Sequence, residues 1–116
     1  MNDHNTPLSD IGLIGLAVMG ENLALNMERR GFRVAVYNRT PEKTRAFMAG
    51  RAAGKRLVAA DSLKTLVQHL QRPRRVMLMV KAGAPVQKAI ETLVPLLEPG
   101  DIIIDGGNNN TATTER

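Results

Sequence analysis

The sequence predicts an α/β fold: a doubly wound parallel sheet between two layers of helices, a three-layer α/β/α arrangement in a single domain. Three observations carry this. Short apolar runs alternate with helix-period segments along residues 11–104, the order expected of a parallel sheet joined by right-handed crossovers. Glycine or proline marks most of the changeovers. The run 76–80, VMLMV, is apolar at every position, as a strand covered on both faces must be.

The elements follow in order. Ile11–Ile14 is the first strand and ends at Gly15. Gly20, Leu23, Ala24 and Met27 then recur at helical spacing, and Gly31 stops that helix. Val34–Tyr37 is the second strand. Thr40 and Pro41 open a second helix, a capping residue followed by proline at the first helical position, and Gly50 and Gly54 close it. Residues 57–60 form a weaker third strand. Asp61 or Ser62 caps a third helix whose Leu63, Leu66, Val67 and Leu70 share a face. After the fourth strand, 76–80, Pro85 starts a fourth helix with Val86, Ile90, Leu93, Val94 and Leu97 on one side. Pro99 and Gly100 turn the chain into the fifth strand, 102–104. Residues 111–116 read as the start of a further helix, cut off, so the domain is expected to be truncated. Residues 1–9 are polar and read as a flexible leader, leaving 10–116 as the domain.

Composition narrows the class. With 116 residues the chain holds one domain. It has one Tyr, two Phe and no Trp, so the core must be aliphatic. Without cysteine it can form neither a disulfide nor a thiolate metal site, which suits a cytoplasmic protein. The two histidines, His4 and His69, have no carboxylate at ligand spacing, so no metal is expected. No apolar run is long enough to span a membrane, and the start lacks the pattern of a signal peptide. The net charge of +5 favours anionic partners. The basic clusters 29–30, 51–56 and 72–75 have no interleaved aromatics that could stack on bases, so they read as solvated helix ends and loops, not as a nucleic-acid surface.

The chemistry-bearing segment is Gly15-Leu16-Ala17-Val18-Met19-Gly20, which follows a strand and opens a helix. Gly15 permits the tight turn, the middle position must be small where backbone amides approach a pyrophosphate, and Gly20 lets the helix pack on the sheet. The helix amino terminus supplies free N–H groups and the positive end of a dipole. The middle residue is Ala17 where the dinucleotide pattern has glycine. A turn of small residues serving packing alone is the competing reading. The end of the second strand chooses the dinucleotide. An acidic residue there would accept from the adenosine ribose of NAD. This chain has Asn38, Arg39 and Thr40: a neutral residue that does not repel a 2′-phosphate, a guanidinium that can fork onto it, and a hydroxyl. The expected cofactor is NADP. Against this, Thr40 could serve only as a helix cap and Arg39 be merely solvated.

Four segments in order, IGLAVMGENL (14–23), NRT (38–40), VKAG (80–83) and IDGGN (104–108), resemble the 6-phosphogluconate dehydrogenases, in register over nearly the whole chain after residue 9. Ala17 in the turn is itself typical of that family. The resemblance implies a Rossmann-type domain that binds NADP across the carboxyl ends of its strands. Carried over residue by residue, Gly15, Leu16, Ala17, Val18, Met19 and Gly20 would hold the pyrophosphate, with Met19 near the nicotinamide. Asn38, Arg39 and Thr40 would hold the 2′-phosphate and adenosine ribose. Val80, Lys81 and Ala82 would line the cofactor, and Asn108 would touch both the cofactor and the substrate. The residues alone leave Lys81 open as a snorkelling surface lysine and 105–108 as a tight turn with Asp105 capping the next helix.

The family oxidises 6-phosphogluconate at C3 and decarboxylates it to ribulose 5-phosphate with reduction of NADP, a pentose phosphate pathway reaction. Its catalytic Lys and Glu lie in a later helical domain that nothing in this chain matches, so the fragment is expected to bind cofactor and not to turn over. The family dimerises mainly through that helical part, which implies a homodimer for the longer enzyme and leaves a monomer open for the fragment. After Asn108 the family continues with Ser, an acidic residue and an aromatic or His; here the chain reads Asn109-Asn110-Thr111, which weakens any substrate contact from this loop. Two other readings compete. A 3-hydroxyisobutyrate-type β-hydroxyacid dehydrogenase would typically have a middle Gly in the turn and Asp-Gly-Ser after the fifth strand. A non-catalytic dinucleotide-binding module would share the fold alone.

Overall fold

The computed structural model describes residues 7–80, 83–106 and 112–115. In chain order they form β1 (Ile11–Ile14), α1 (Val18–Arg29), β2 (Val34–Tyr37), α2 (Pro41–Ala49), β3 (Leu57–Ala59), α3 (Leu63–Gln68), β4 (Arg75–Leu78), α4 (Ala84–Leu93), a short 3-10 turn (Val94–Leu96), β5 (Ile102–Asp105) and β6 (Ala112–Glu115). The strands make one sheet in the order β3-β2-β1-β4-β5-β6. β1 to β5 are parallel: Leu13 lies beside Val36 on one side and Met77 on the other.

Each strand points alternate side chains to opposite faces, and both faces are covered. Ile14, Ala35, Val76, Leu78 and Ile103 pack on one face with Leu66 and Val67 of α3 and Leu93 of α4. Leu13, Val34 and Val36 pack on the other with Ala24 of α1 and Phe47 of α2. The three-layer arrangement is therefore the one the alternation predicts, and the buried core is aliphatic apart from Phe47. Ser62 caps α3, its Oγ accepting from the Thr65 amide at 3.1 Å.

Three expectations are corrected. Residues 112–115 are not helical; Ala112–Glu115 is a strand running antiparallel to β5, with Ile103 beside Thr114. Thr113 and Thr114 are β-branched and favour extended backbone, and without β6 the outer edge of β5 would be unpaired. Asp105 consequently ends β5, paired with Ala112, and does not begin a helix. Thr40 occupies the amino-terminal cap position of α2 with Pro41 next, but its side chain makes no capping hydrogen bond.

At the opposite end of the sheet, Asp101 is 1 % exposed and ties two loops together. It accepts from the Arg74 amide at 2.7 Å, from the Glu98 amide at 2.8 Å and from the Arg74 guanidinium at 3.5 Å. Burial alone would raise this carboxyl, but the Glu98 and Arg74 amides and the Arg74 charge outweigh it and hold it below its ordinary value.

Candidate functional site

In the strand order β3-β2-β1-β4-β5 the chain reverses its direction of winding between β1 and β4, and open α/β sheets bind ligands at the carboxyl ends of strands at that point. A cleft of about 540 Å³ lies there. The glycine turn from Gly15 to Gly20 forms one wall, joined by Asn38, Lys43, Met79, Val80 and Pro85.

The turn is shaped by two close approaches. Gly15 has φ +108°, a conformation side chains avoid, and a Cβ there would drive into the Met79 carbonyl, whose carbon would be 2.7 Å away. A Cβ on Gly20 would collide with the Gly15 carbonyl oxygen. The chain can therefore bend off β1 and start α1 at once, with the Gly15 amide bonded to the Tyr37 carbonyl at 2.8 Å and the Met79 amide to the Ile14 carbonyl at 2.7 Å. Ala17 is the cap residue of α1 and has no side-chain acceptor to offer. The first intrahelical bond runs from Glu21 to the Ala17 carbonyl, 2.9 Å. The amides of the first turn are left without a side-chain cap, so an anion on the cleft side can take that place. Val18 and Met19 are each 71 % exposed. Met19 and Met79 also line a neighbouring depression of about 560 Å³ along α1.

Asn38, at the end of β2, is only partly exposed, and its carboxamide is engaged at both ends. Oδ1 accepts from the Leu16 amide at 2.8 Å, and Nδ2 donates to the Thr40 carbonyl at 3.3 Å. Arg39 and Thr40 are exposed. The described residues offer Arg39 no ion pair, whereas Arg45, Arg51, Arg56, Arg72 and Arg74 each pair with an acid. Four of the basic clusters' arginines, Arg51, Arg56, Arg72 and Arg74, are thus held against carboxylates, while Arg39 beside Asn38 has no acidic partner among the described residues.

The structure brings the glycine turn, Asn38 and Val80 to one cleft. Lys81, Ala82 and Asn108 lie outside the described residues. Lys43 was not singled out from sequence, although a cation in the first turn of the helix that follows Asn-Arg-Thr is a readable signal. Met79 and Pro85 were missed as cleft residues too; Met79 follows β4 and, partly buried, packs against the core cluster that holds Leu13 and Leu16 while also lining the cleft.

A family model for the NAD binding domain of 6-phosphogluconate dehydrogenase matches residues 10–116. The chain belongs to that family. The 6-phosphogluconate dehydrogenase (decarboxylating) of Synechococcus elongatus is 64 % identical over 94 % of this chain and 23 % of its own length. A solved 6-phosphogluconate dehydrogenase of Plasmodium falciparum, described with its cofactor NADP+ and its substrate 6-phosphogluconate, superposes with a TM-score of 0.76 at 45 % identity, covering 84 % of this chain and 21 % of that one. The 3-hydroxyisobutyrate dehydrogenase of Mycobacterium tuberculosis superposes with a TM-score of 0.68 at 20 % identity, over 84 % of this chain and 31 % of that one, and shares the fold. The chain spans less than a quarter of the length of the 6-phosphogluconate dehydrogenases it matches.

Proposed function

We propose that this chain binds NADP as the cofactor domain of a 6-phosphogluconate dehydrogenase, and that the longer protein oxidises and decarboxylates 6-phosphogluconate to ribulose 5-phosphate. The observation that carries the reading is the uncapped start of α1, opening into a cleft at the reversal of strand order, beside an arginine that has no partner among the described residues. The residues fit the cofactor. The amides of 17–20 would hold the pyrophosphate, with Gly15 and Gly20 leaving room for its approach. Arg39 would fork onto the 2′-phosphate, with the Thr40 hydroxyl, free of any capping duty, adding a hydrogen bond. Lys43 on the cleft wall would add positive charge. Val80, Lys81, Ala82 and Asn108 would complete the site, Asn108 on the substrate side. When bound, NADP would supply a hydride acceptor, and Met19, exposed and lining the cleft, would lie beside the nicotinamide.

The catalytic Lys and Glu of the reaction would come from the helical domain, so residues 1–116 alone are expected to bind without turnover, and a homodimer would require that domain. A cytoplasmic location is supported by the cysteine-free sequence. No helix among the described residues is long and apolar enough to cross a membrane. The test is a pair of calorimetric titrations on wild type and Arg39→Ala. Loss of the guanidinium should weaken NADP at least tenfold and leave NAD within about threefold, because charge-assisted contacts of this kind are worth roughly 1.5–3 kcal/mol. Equal losses for the two dinucleotides would remove Arg39 as the selector.

A further inference from the structure

We infer that Asn38 is a positioning residue that latches the glycine turn to the β2–α2 loop. The inference rests on the cofactor reading above, and changes what one of its residues does.

The geometry leaves the carboxamide one orientation. The Leu16 backbone N–H can only donate, so it faces Oδ1 at 2.8 Å; the Thr40 carbonyl can only accept, so it faces Nδ2 at 3.3 Å. Each bond thus specifies which end of the amide it takes. These two backbone groups belong to the two halves of the site. Leu16 is in the turn that presents amides to a pyrophosphate, and Thr40 is in the segment that carries Arg39. The Gly15 amide is bonded to the Tyr37 carbonyl next door, so the turn is held to β2 at two successive amides, one by backbone and one by the Asn38 side chain. The Leu16 side chain is 1 % exposed, which anchors that residue on the core side while Asn38 fixes its N–H. With the acceptor committed to Leu16 and a donor committed to Thr40, only one amide hydrogen is left for any ligand.

A residue in this role has a signature distinct from that of Arg39. Every dinucleotide uses the glycine turn, but only NADP uses the 2′-phosphate. Truncation of the latch should therefore weaken NADP and NAD alike, by about fivefold to tenfold, the worth of a partly buried hydrogen bond whose loss also frees the turn. Asn38→Asp separates the two ends of the latch. A carboxylate still accepts from Leu16, but it loses the bond to Thr40 and repels a 2′-phosphate.

The experiment measures NADP and NAD binding to wild type, Asn38→Ala and Asn38→Asp by calorimetry, with amide hydrogen exchange followed at Leu16 in the unliganded chain and thermal melts confirming that each variant is folded. Asn38→Ala should weaken both dinucleotides by similar factors and speed exchange at Leu16. Asn38→Asp should keep Leu16 protected, hold NAD within about threefold and weaken NADP more than tenfold. If Asn38→Ala weakens NADP alone and leaves exchange at Leu16 unchanged, Asn38 is a phosphate ligand and the latch is wrong. If wild type binds neither dinucleotide but exchange at Leu16 still rises in Asn38→Ala, the latch stands as a device of the turn, and the cofactor reading is what fails. Should Asn38→Ala not fold, Asn38→Asp decides the matter: rapid exchange at Leu16 in that variant overturns the latch.

Discussion

A methyl group on Gly20 would have to occupy the space of the Gly15 carbonyl oxygen, so the turn and the first residues of α1 would have to separate. Gly20→Ala should cost about 1–3 kcal/mol in a denaturant titration, the range for forcing an extra methylene into a filled site, and should abolish measurable NADP binding. The same variant with unchanged affinity would mean that the phosphates do not meet this turn. Asp101 governs a different property. Its native pKa lies below its unfolded one, near 3.9, so the unfolded chain binds the proton more readily. Its contribution is complete above about pH 5 and is lost as pH falls through the ordinary carboxylate range towards the lowered native value. Asp101→Asn should cost roughly 1–3 kcal/mol at neutral pH, because an NH₂ group would face an amide donor from Arg74 or Glu98. It should also flatten the acid limb of a plot of stability against pH; an unaltered limb would assign the acid sensitivity elsewhere.

Helix caps give a paired test. Ser62 makes the side-chain bond that opens α3, and Thr40 occupies the same position in α2 without making one. Ser62→Ala should lower stability by about 1 kcal/mol in chemical denaturation, whereas Thr40→Ala should stay within about 0.5 kcal/mol. The contrast shows where sequence is legible. A serine or threonine before a helix marks the boundary correctly in both cases, yet whether its hydroxyl turns inward depends on backbone angles that the residue type does not set. Strands and helices up to β5 were readable because each buries a face, and burial imposes a period on the sequence. Residues 112–115 misled because so short a polar segment has no apolar period, and its state is set by the open edge of β5. The glycine turn was readable for the same local reason as the strands: its requirements fall within six consecutive residues. The Asn38 bond to Leu16 was not, since it joins positions 22 apart and requires β1 and β2 to be adjacent in the correct register.

For the molecule as a whole, the sheet divides the labour. The amino ends of β4 and β5 are tied by Arg74 and Asp101, and the carboxyl ends of β1 and β4 carry the cleft, so stability and binding can be altered separately. Changes at Asp101 should shift the melting temperature and leave the ratio of NADP to NAD affinity untouched; Arg39→Ala should do the reverse. Ligand binding to the folded state should also raise the melting temperature, by an increment that grows with the logarithm of NADP concentration above the Kd. The most direct measurement is calorimetric titration of the 116-residue protein with NADP and, separately, with NAD. The account predicts one site per chain and at least tenfold tighter binding of NADP. Equal affinity for the two, or no binding of either, would contradict it.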